Sequence, residues 1–228
     1  MYIQFLVEDI SGSKLIDIIM KKYRAESAVI SIDYDIRPYK GIGGIPKGPV
    51  ARNNKSQQLL ADLPKRLKAF NVALKNIQDA TLFVVLDNDI RNPKEFEGQL
   101  KALSHQENIE IDHVFCIAIE EMEAWLLGDC YALQAAYPKL ADRIASKHAT
   151  YRQDSICGTW EVLADILTRN GFGVFQKQNS TPYDVGRCKI EWVENIGKHL
   201  DLRKNASPSF LRFIAELDFR RNAALERT

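Results

Sequence analysis

The sequence contains five carboxylates placed where they could share a divalent cation. Each lies at, or within a few residues of, the end of a short apolar run. Carboxylates that are forced together repel one another and raise each other's pKa unless a cation neutralises them. Their hard oxygens favour Mg²⁺ or Mn²⁺, which keep several waters and bridge to phosphate oxygens. The candidate metal ligands and catalytic groups are Glu8, Asp87, Asp89, Glu120 and Glu123.

The apolar runs ahead of these carboxylates are predicted to be strands of one sheet. Residues 2–7, 28–34, 81–86 and 111–119 have the composition of strands, and helical patterns lie between them. Strands that alternate with helices favour a mostly parallel sheet with right-handed crossovers. Ligands bind such sheets beyond the carboxyl ends of the strands. We therefore expect the carboxylates to meet at one edge of the sheet.

The whole chain is predicted to have an α/β fold, with a Rossmann-like, mostly parallel sheet flanked by helices. Beyond residue 131 only helical patterns and loops follow, which indicates a helical C-terminal region. We expect an α/β domain over residues 1–150 and a helical extension over residues 151–228 packed on it. The alternative is that both ranges form a single domain.

Local signals predict where the helices around the strands begin. Ser11 or Ser13 can cap the helix after the first strand, and Pro93 suits the first turn of the helix after the third. A helix over residues 121–127 is predicted directly after the fourth strand. On that helix, Glu120 and Glu123 would lie near one another on the side away from the apolar face.

Each acidic segment also has a simpler interpretation. The LDND at residues 86–89 fits a polar turn, and Glu8 fits a solvated strand end. Glu120 and Glu123 fit a solvated first helical turn, which the helix dipole favours. Spacing alone leaves both interpretations of each segment open.

A basic, glycine-rich segment lies between the second and third predicted strands. Glycines at positions 41, 43, 44 and 48 would let the backbone approach a phosphate closely. The segment predicts contact with a nucleic-acid backbone beside the metal site, and its alternative is a solvated surface loop. The candidate nucleic-acid-binding residues are Arg37, Lys40, Lys47, Arg52 and Lys55.

Composition excludes several classes of protein. The 228 residues are 46% hydrophobic and 27% charged, as in ordinary globular proteins, and the formal charge of +1 gives no global attraction to a polyanion. No apolar run reaches the length of a membrane span. The N-terminus starts directly in a strand-like run, so we expect no signal peptide and a cytoplasmic location.

Four segments, in order along the chain, resemble a known family. LVEDISGSKL at 6–15 resembles the Toprim opening, in which a strand ends in glutamate before a small-residue turn, and FVVLDND at 83–89 resembles the Toprim DxD strand. IEEMEAWLLGD at 119–129 resembles the EaWLlaD signature of the bacterial Toprim-like family catalogued as domain of unknown function 4276. SPSFLRFIAEL at 207–217 resembles the C-terminal SF..F helix of that family.

The resemblance implies a Toprim-like fold related to that of OLD-type nucleases, and roles for individual residues. Glu8 matches the general acid/base, Asp87 and Asp89 match the metal-holding pair, and Glu123 matches the glutamate of the EaWLlaD motif. It implies a Mg²⁺- or Mn²⁺-dependent nuclease that cleaves phosphodiester bonds in DNA or RNA. It also implies an AAA-type ATPase partner in a phage-defence system.

Two positions depart from the Toprim pattern and support an alternative. Asp9 replaces the glycine that usually follows the glutamate, and Arg91 stands where many Toprim domains carry a third aspartate. The alternative is a non-catalytic adaptor that keeps the fold and binds an ATPase partner or nucleic acid. A phosphatase of the haloacid-dehalogenase type, with Asp87 as nucleophile, is a third hypothesis, but Ile90 and Arg91 replace its expected Gly-Thr.

Overall fold

The computed structural model describes residues 1–41, 43–44, 58–168 and 182–227 of the chain. The elements follow one another in the order β1 Tyr2–Val7, α1 Ile10–Glu26, β2 Asp33–Pro38, α2 Leu59–Leu74, β3 Ala80–Asp87, α3 Pro93–Gln106, β4 His113–Ala118, α4 Glu123–Leu127, α5 Cys130–Ala136, a 3-10 turn Pro138–Leu140, α6 Ala141–His148, α7 Thr159–Leu167, α8 Pro182–Gly197 and α9 Pro208–Leu225.

Within the described residues, four parallel strands form one sheet in the order β2-β1-β3-β4. The chain moves from β1 outward to β2, then crosses back over β1 to place β3 on its other side. The direction of winding therefore reverses between β1 and β3, and ligands bind open α/β sheets at such a point. The predicted α/β fold with a parallel sheet and C-terminal helices is confirmed.

Alternate residues of the strands face two separate hydrophobic layers, as the two-residue period of a strand requires. Phe5 and Phe83 face the layer that contains α1 and α9, and their ring centroids lie 5.3 Å apart. Leu6 and Val84 face the layer that contains α2 and α3. Both faces of β1 and β3 are covered, which explains why the two strands are almost continuously apolar.

The helical C-terminal region shares the core of the first layer. Trp125 of α4 is fully buried, and its ring centroid lies 5.1 Å from that of Phe213 in α9. The Trp125 indole N–H donates a hydrogen bond to Ser209 Oγ at 2.9 Å. Residues on both sides of position 150 therefore pack into one hydrophobic cluster. No helix of the described chain combines the length and apolar character needed to cross a membrane.

The second strand begins later than predicted. β2 starts at Asp33, and Val29 in the predicted strand over residues 28–34 is 79% exposed. Among the strands that the structure describes, β2 pairs only with β1, from Tyr2 opposite Asp33 to Val7 opposite Pro38. An edge strand of this kind alternates polar and apolar residues. The short apolar run that begins at residue 28 therefore placed the start of the predicted strand too early.

The cap of α1 also differs from the prediction. Asp9 is the N-cap, with extended backbone and with Oδ1 accepting a 2.6 Å hydrogen bond from the Gly12 N–H. The prediction that Ser11 or Ser13 caps this helix is wrong, because both residues lie inside it. The Ser11 hydroxyl instead donates to Asp9 Oδ2 at 2.8 Å.

Candidate metal centre

The carboxyl ends of β1 and β3 bring the Glu8 side chain to the backbone of Asp87. Val7 lies opposite Val85, so Glu8 is level with Leu86, one residue before β3 ends at Asp87. Oε2 of Glu8 accepts a hydrogen bond from the Asp87 N–H at 3.0 Å. The structure therefore brings these two carboxylates together at the point where the winding of the sheet reverses.

The Asp87 carboxyl group has an oxygen that accepts no hydrogen bond from the described residues. Asp87 is partly exposed as a residue, but its Oδ1 is enclosed and accepts no hydrogen bond among the described residues. Burial, and next the negative charges of Glu8 and Glu123, raise the pKa of Asp87 well above its ordinary value. A buried polar atom without a partner is unfavourable, so this oxygen is suited to a cation or a proton.

Glu8 is poised to exchange a proton near neutral pH. Burial raises the pKa of Glu8 to about 7, against the opposing effect of the Asp87 N–H that it accepts. The negative charges of Asp89 and Asp9 raise the pKa further. A general acid or base works best when its pKa lies near the working pH.

Asp89 has left the strand direction and is paired with a nearby arginine. Its backbone is left-handed, with φ 48°, so it lies in a turn. The Asp89 carboxylate is 42% exposed and forms an ion pair with the Arg91 guanidinium. That guanidinium lies 5.1 Å from the ring centroid of Phe96. Arg91 therefore supplies a protein cation beside the acidic turn.

Glu120 has a different partner from the one predicted. The Glu120 carboxylate accepts hydrogen bonds from the backbone N–H groups of Gly158 at 2.6 Å, Thr159 at 2.7 Å and Cys157 at 3.3 Å. These groups lie at the start of α7, where N–H groups have no partner within the helix. The predicted placement of Glu120 beside Glu123 on one helix is wrong, because α4 begins only at Glu123 and Glu120 has a φ of 63°. The geometry does not support a metal-binding role for Glu120.

Glu123 is buried and shares a cation with Glu121. Lys189 Nζ of α8 lies 3.3 Å from Glu123 Oε2 and 3.2 Å from Glu121 Oε2. Burial, and next the charge of Glu123, raise the pKa of Glu121 to about 7. Burial lowers the pKa of Lys189, but the carboxylates of Glu123, Glu121 and Asp87 raise it by more, so Lys189 stays charged.

Lys189 was missed by the sequence analysis, although the sequence contains a signal for it. Trp192, Val193 and Ile196 follow Lys189 at helical spacings of three, four and seven, and all three are buried. A lysine on the apolar stripe of a helix must find a buried anion. The helix pattern thus marks Lys189 as unusual, but it does not reveal which carboxylates Lys189 meets.

The residues present fit a single hard cation whose coordination is completed by water and phosphate. Across the described residues, no three His, Cys, Asp or Glu side chains are grouped closely enough to hold a metal by themselves. The Glu8 carboxylate nevertheless lies against the backbone of Asp87, and Oδ1 of Asp87 is enclosed and has no hydrogen-bond partner among the described residues. Mg²⁺ is commonly bound by one or two carboxylates together with waters and substrate phosphates.

Two of the predicted nucleic-acid-binding residues lie in the described chain. Arg37 and Lys40 are exposed, and the Arg37 guanidinium lies 5.5 Å from the ring centroid of Phe70. Lys40 and Arg187 of α8 line a cleft of about 360 Å³ at the start of α1. Arg187 was not singled out by the sequence analysis. Lys47, Arg52 and Lys55 lie outside the described residues.

The described residues on either side of positions 45–57 are attached beside Glu8. The Gly41 N–H donates to the Glu8 carbonyl at 3.0 Å, and the Leu59 N–H donates to the Gly41 carbonyl at 3.0 Å. Gly41 and Leu59, described residues that flank positions 45–57, are therefore held next to Glu8.

Comparison with known proteins gives one match. The model of a family described as a domain of unknown function (DUF4276) matches residues 7–218. No curated protein and no solved structure matches the chain.

Proposed function

Because this chain belongs to the family described as a domain of unknown function (DUF4276), whose description assigns no activity, we propose a function from its own residues: it is a divalent-metal-dependent nuclease. The observation that carries the proposal is the contact between Glu8 and Asp87 where the winding of the sheet reverses. One of these carboxyl groups has a pKa of about 7, and the other has an enclosed oxygen without a partner. Unpaired, perturbed carboxyl groups in one place are typical of active sites.

Glu8 and Asp87 have different roles in the proposed reaction. A bound Mg²⁺ or Mn²⁺ would neutralise charge on the scissile phosphate and its leaving oxygen. Asp87 offers its enclosed Oδ1 as a ligand, and Glu8 accepts a proton from the attacking water or returns one to the leaving oxygen. Asp89 lies in the adjoining turn, where Arg91 holds its carboxylate. This division agrees with the roles that the Toprim resemblance implies.

The substrate is proposed to be the sugar–phosphate backbone of DNA or RNA. The exposed cations Arg37 and Lys40 lie at the end of β2, and Lys40, Arg187 and Ser11 line one cleft. Lysine and arginine side chains that neutralise phosphates provide most sequence-independent affinity for nucleic acid. The net charge of +1 makes this local arrangement necessary, since the whole chain does not attract a polyanion.

The test is a cleavage screen with Mg²⁺ and Mn²⁺ over single- and double-stranded DNA and RNA. We expect the wild type to cleave at least one substrate and Glu8→Gln to reduce turnover by about 10²–10⁴-fold, the usual contribution of a general acid/base. Glu110→Gln is the matched control, because Glu110 precedes β4 at the opposite end of the sheet and is 71% exposed. Equal turnover in Glu8→Gln and Glu110→Gln would overturn the proposal.

An adaptor function is the second candidate, and one observation favours it. Arg91 and Lys189 already form ion pairs with three of the carboxylates around the site, so part of the negative charge there is compensated without a metal. In this case the chain would bind an AAA-type ATPase or nucleic acid without hydrolysis, as a subunit of a phage-defence system. The adaptor predicts no cleavage with either metal and unchanged binding of the partner by Glu8→Gln.

A further inference from the structure

Lys189 is a mostly buried cation that is paired with two carboxylates near the carboxyl end of the sheet. Its side chain is 14% exposed, and those of Glu121 and Glu123 are 22% and 5% exposed. The Lys189 Nζ lies 5.9 Å from the ring centroid of Trp160, which gives it an aromatic neighbour as well as two carboxylates. Burying an ion pair costs free energy of desolvation that its own attraction often fails to recover. A hydrophobic residue at this position of α8 would pack at lower cost.

The carboxylates around the site divide into those that face a protein cation and those that do not. Lys189 contacts Glu121 and Glu123. Arg91 contacts Asp89. Glu8 and Asp87 form no ion pair within the described part of the chain, and they contact each other.

A second divalent cation beside Asp87 would need further carboxylate ligands. Sites with two metals hold them about 3.5–4 Å apart and share ligands between them. Glu123 is a nearby candidate, because Asp87 lies opposite Ala118 at the end of β4 and α4 begins five residues later at Glu123. Lys189 Nζ already donates hydrogen bonds to the carboxylates of Glu123 and Glu121. A second cation bound by these carboxylates would therefore be repelled by the positive charge of Lys189.

We propose that Lys189 is a positioning residue that restricts this centre to one divalent cation, by holding Glu121 and Glu123 away from the metal bound at Glu8 and Asp87. The inference rests on the proposed function and adds the number of metal ions that the site holds. The Lys189 ammonium group occupies the position beside Glu121 and Glu123 that a second metal would need. The Arg91 guanidinium likewise occupies the position beside the Asp89 carboxylate. Substrate phosphate and water then complete the coordination of the single ion.

The test counts bound Mn²⁺ per chain by calorimetry and by electron paramagnetic resonance, without substrate. We expect one Mn²⁺ for the wild type and for Lys189→Arg, which keeps the charge, and two for Lys189→Met, which frees both glutamates. The triple variant Lys189→Met, Glu121→Gln, Glu123→Gln should return to one, because the second set of ligands is removed. The triple variant also removes the unpaired buried charges that could unfold Lys189→Met.

The outcomes separate this inference from the proposed function. Two Mn²⁺ ions of similar affinity in the wild type would overturn the role of Lys189 and leave a metal-dependent nuclease standing. A single ion in folded Lys189→Met would also overturn it. No Mn²⁺ bound by the wild type would overturn the proposed function itself, and with it this inference. Circular dichroism of each variant establishes that it is folded.

Discussion

The two ends of the sheet differ in how their carboxylates are paired with basic side chains. At the amino end, Asp79 pairs with Arg227 at 2.7 Å and Asp112 pairs with Arg220 at 2.6 Å. At the carboxyl end, no described basic side chain forms an ion pair with Glu8 or Asp87, and burial raises the pKa of both. The amino end therefore uses acidic residues to stabilise the fold. The carboxyl end pairs Asp89, Glu121 and Glu123 but keeps two carboxyl groups, Glu8 and Asp87, without a described ion pair. Such perturbed groups are typical of a functional site.

The largest expected effect comes from neutralising the carboxyl end. Asp87→Asn should lower nuclease turnover by about 10²–10³-fold, because a cation's share of transition-state stabilisation is several kcal/mol. The free energy of unfolding should stay the same or rise by about 1 kcal/mol, because an unpaired buried charge is removed. Cleavage assays and urea denaturation measure the two quantities. A stability loss above about 2 kcal/mol with full activity would show that Asp87 belongs with the structural carboxylates.

The next effect is the dependence of stability on pH. Burial raises the pKa of Glu8, and likewise that of Glu121, from 4.5 to about 7. Between these values the folded protein keeps protons that the unfolded chain has released, so the free energy of unfolding should fall as pH rises from about 4.5 to about 7. The fall should be at most about 3 kcal/mol for each group.

Urea denaturation at pH 5, 6, 7 and 8 measures this dependence. Above about pH 7 the contributions of Glu8 and Glu121 should end, because both groups are then ionised in the folded state as well. Glu8→Gln should reduce the slope, whereas Glu110→Gln should not. Stability that increases from pH 5 to pH 7 would contradict the assignment of raised pKa values to this end of the sheet.

The smallest effect concerns the amino end. Asp112→Asn should lower the free energy of unfolding by about 1–2 kcal/mol, the usual contribution of hydrogen bonds to a charged group. Arg220 is 10% exposed and would keep Glu216 as its remaining partner. Turnover should not change, since Asp112 precedes β4 and lies at the opposite end of the sheet. Reduced turnover at unchanged stability would break the distinction between the two ends.

The sequence predicted the central elements well because their signals are local. The apolar run before Asp87 becomes β3, and Pro93 opens α3 as expected. The rule that ligands bind at the carboxyl ends of parallel strands correctly placed Glu8 beside Asp87. The metal and catalytic roles of these residues stay predictions.

The sequence could not predict which side chains meet across the fold. Lys189 reaches Glu121 and Glu123 only because α8 packs against α4, and sequence spacing alone does not give that packing. Glu120 was expected on a helix, but its left-handed backbone directs the carboxylate to α7. Such partners depend on tertiary packing, whereas strands and helix starts depend on neighbouring residues.

The hydrogen bonds of Glu120 link two distant parts of the chain mechanically. Its backbone carbonyl accepts the Asp89 N–H at 2.8 Å, while its carboxylate accepts the first N–H groups of α7. Glu120 is thus hydrogen-bonded both to the turn that carries Asp89 and to the helical C-terminal region. A hinge near residue 150 could not open without breaking these charge-assisted contacts, so a force applied to α7 would pull directly on the turn that carries Asp89.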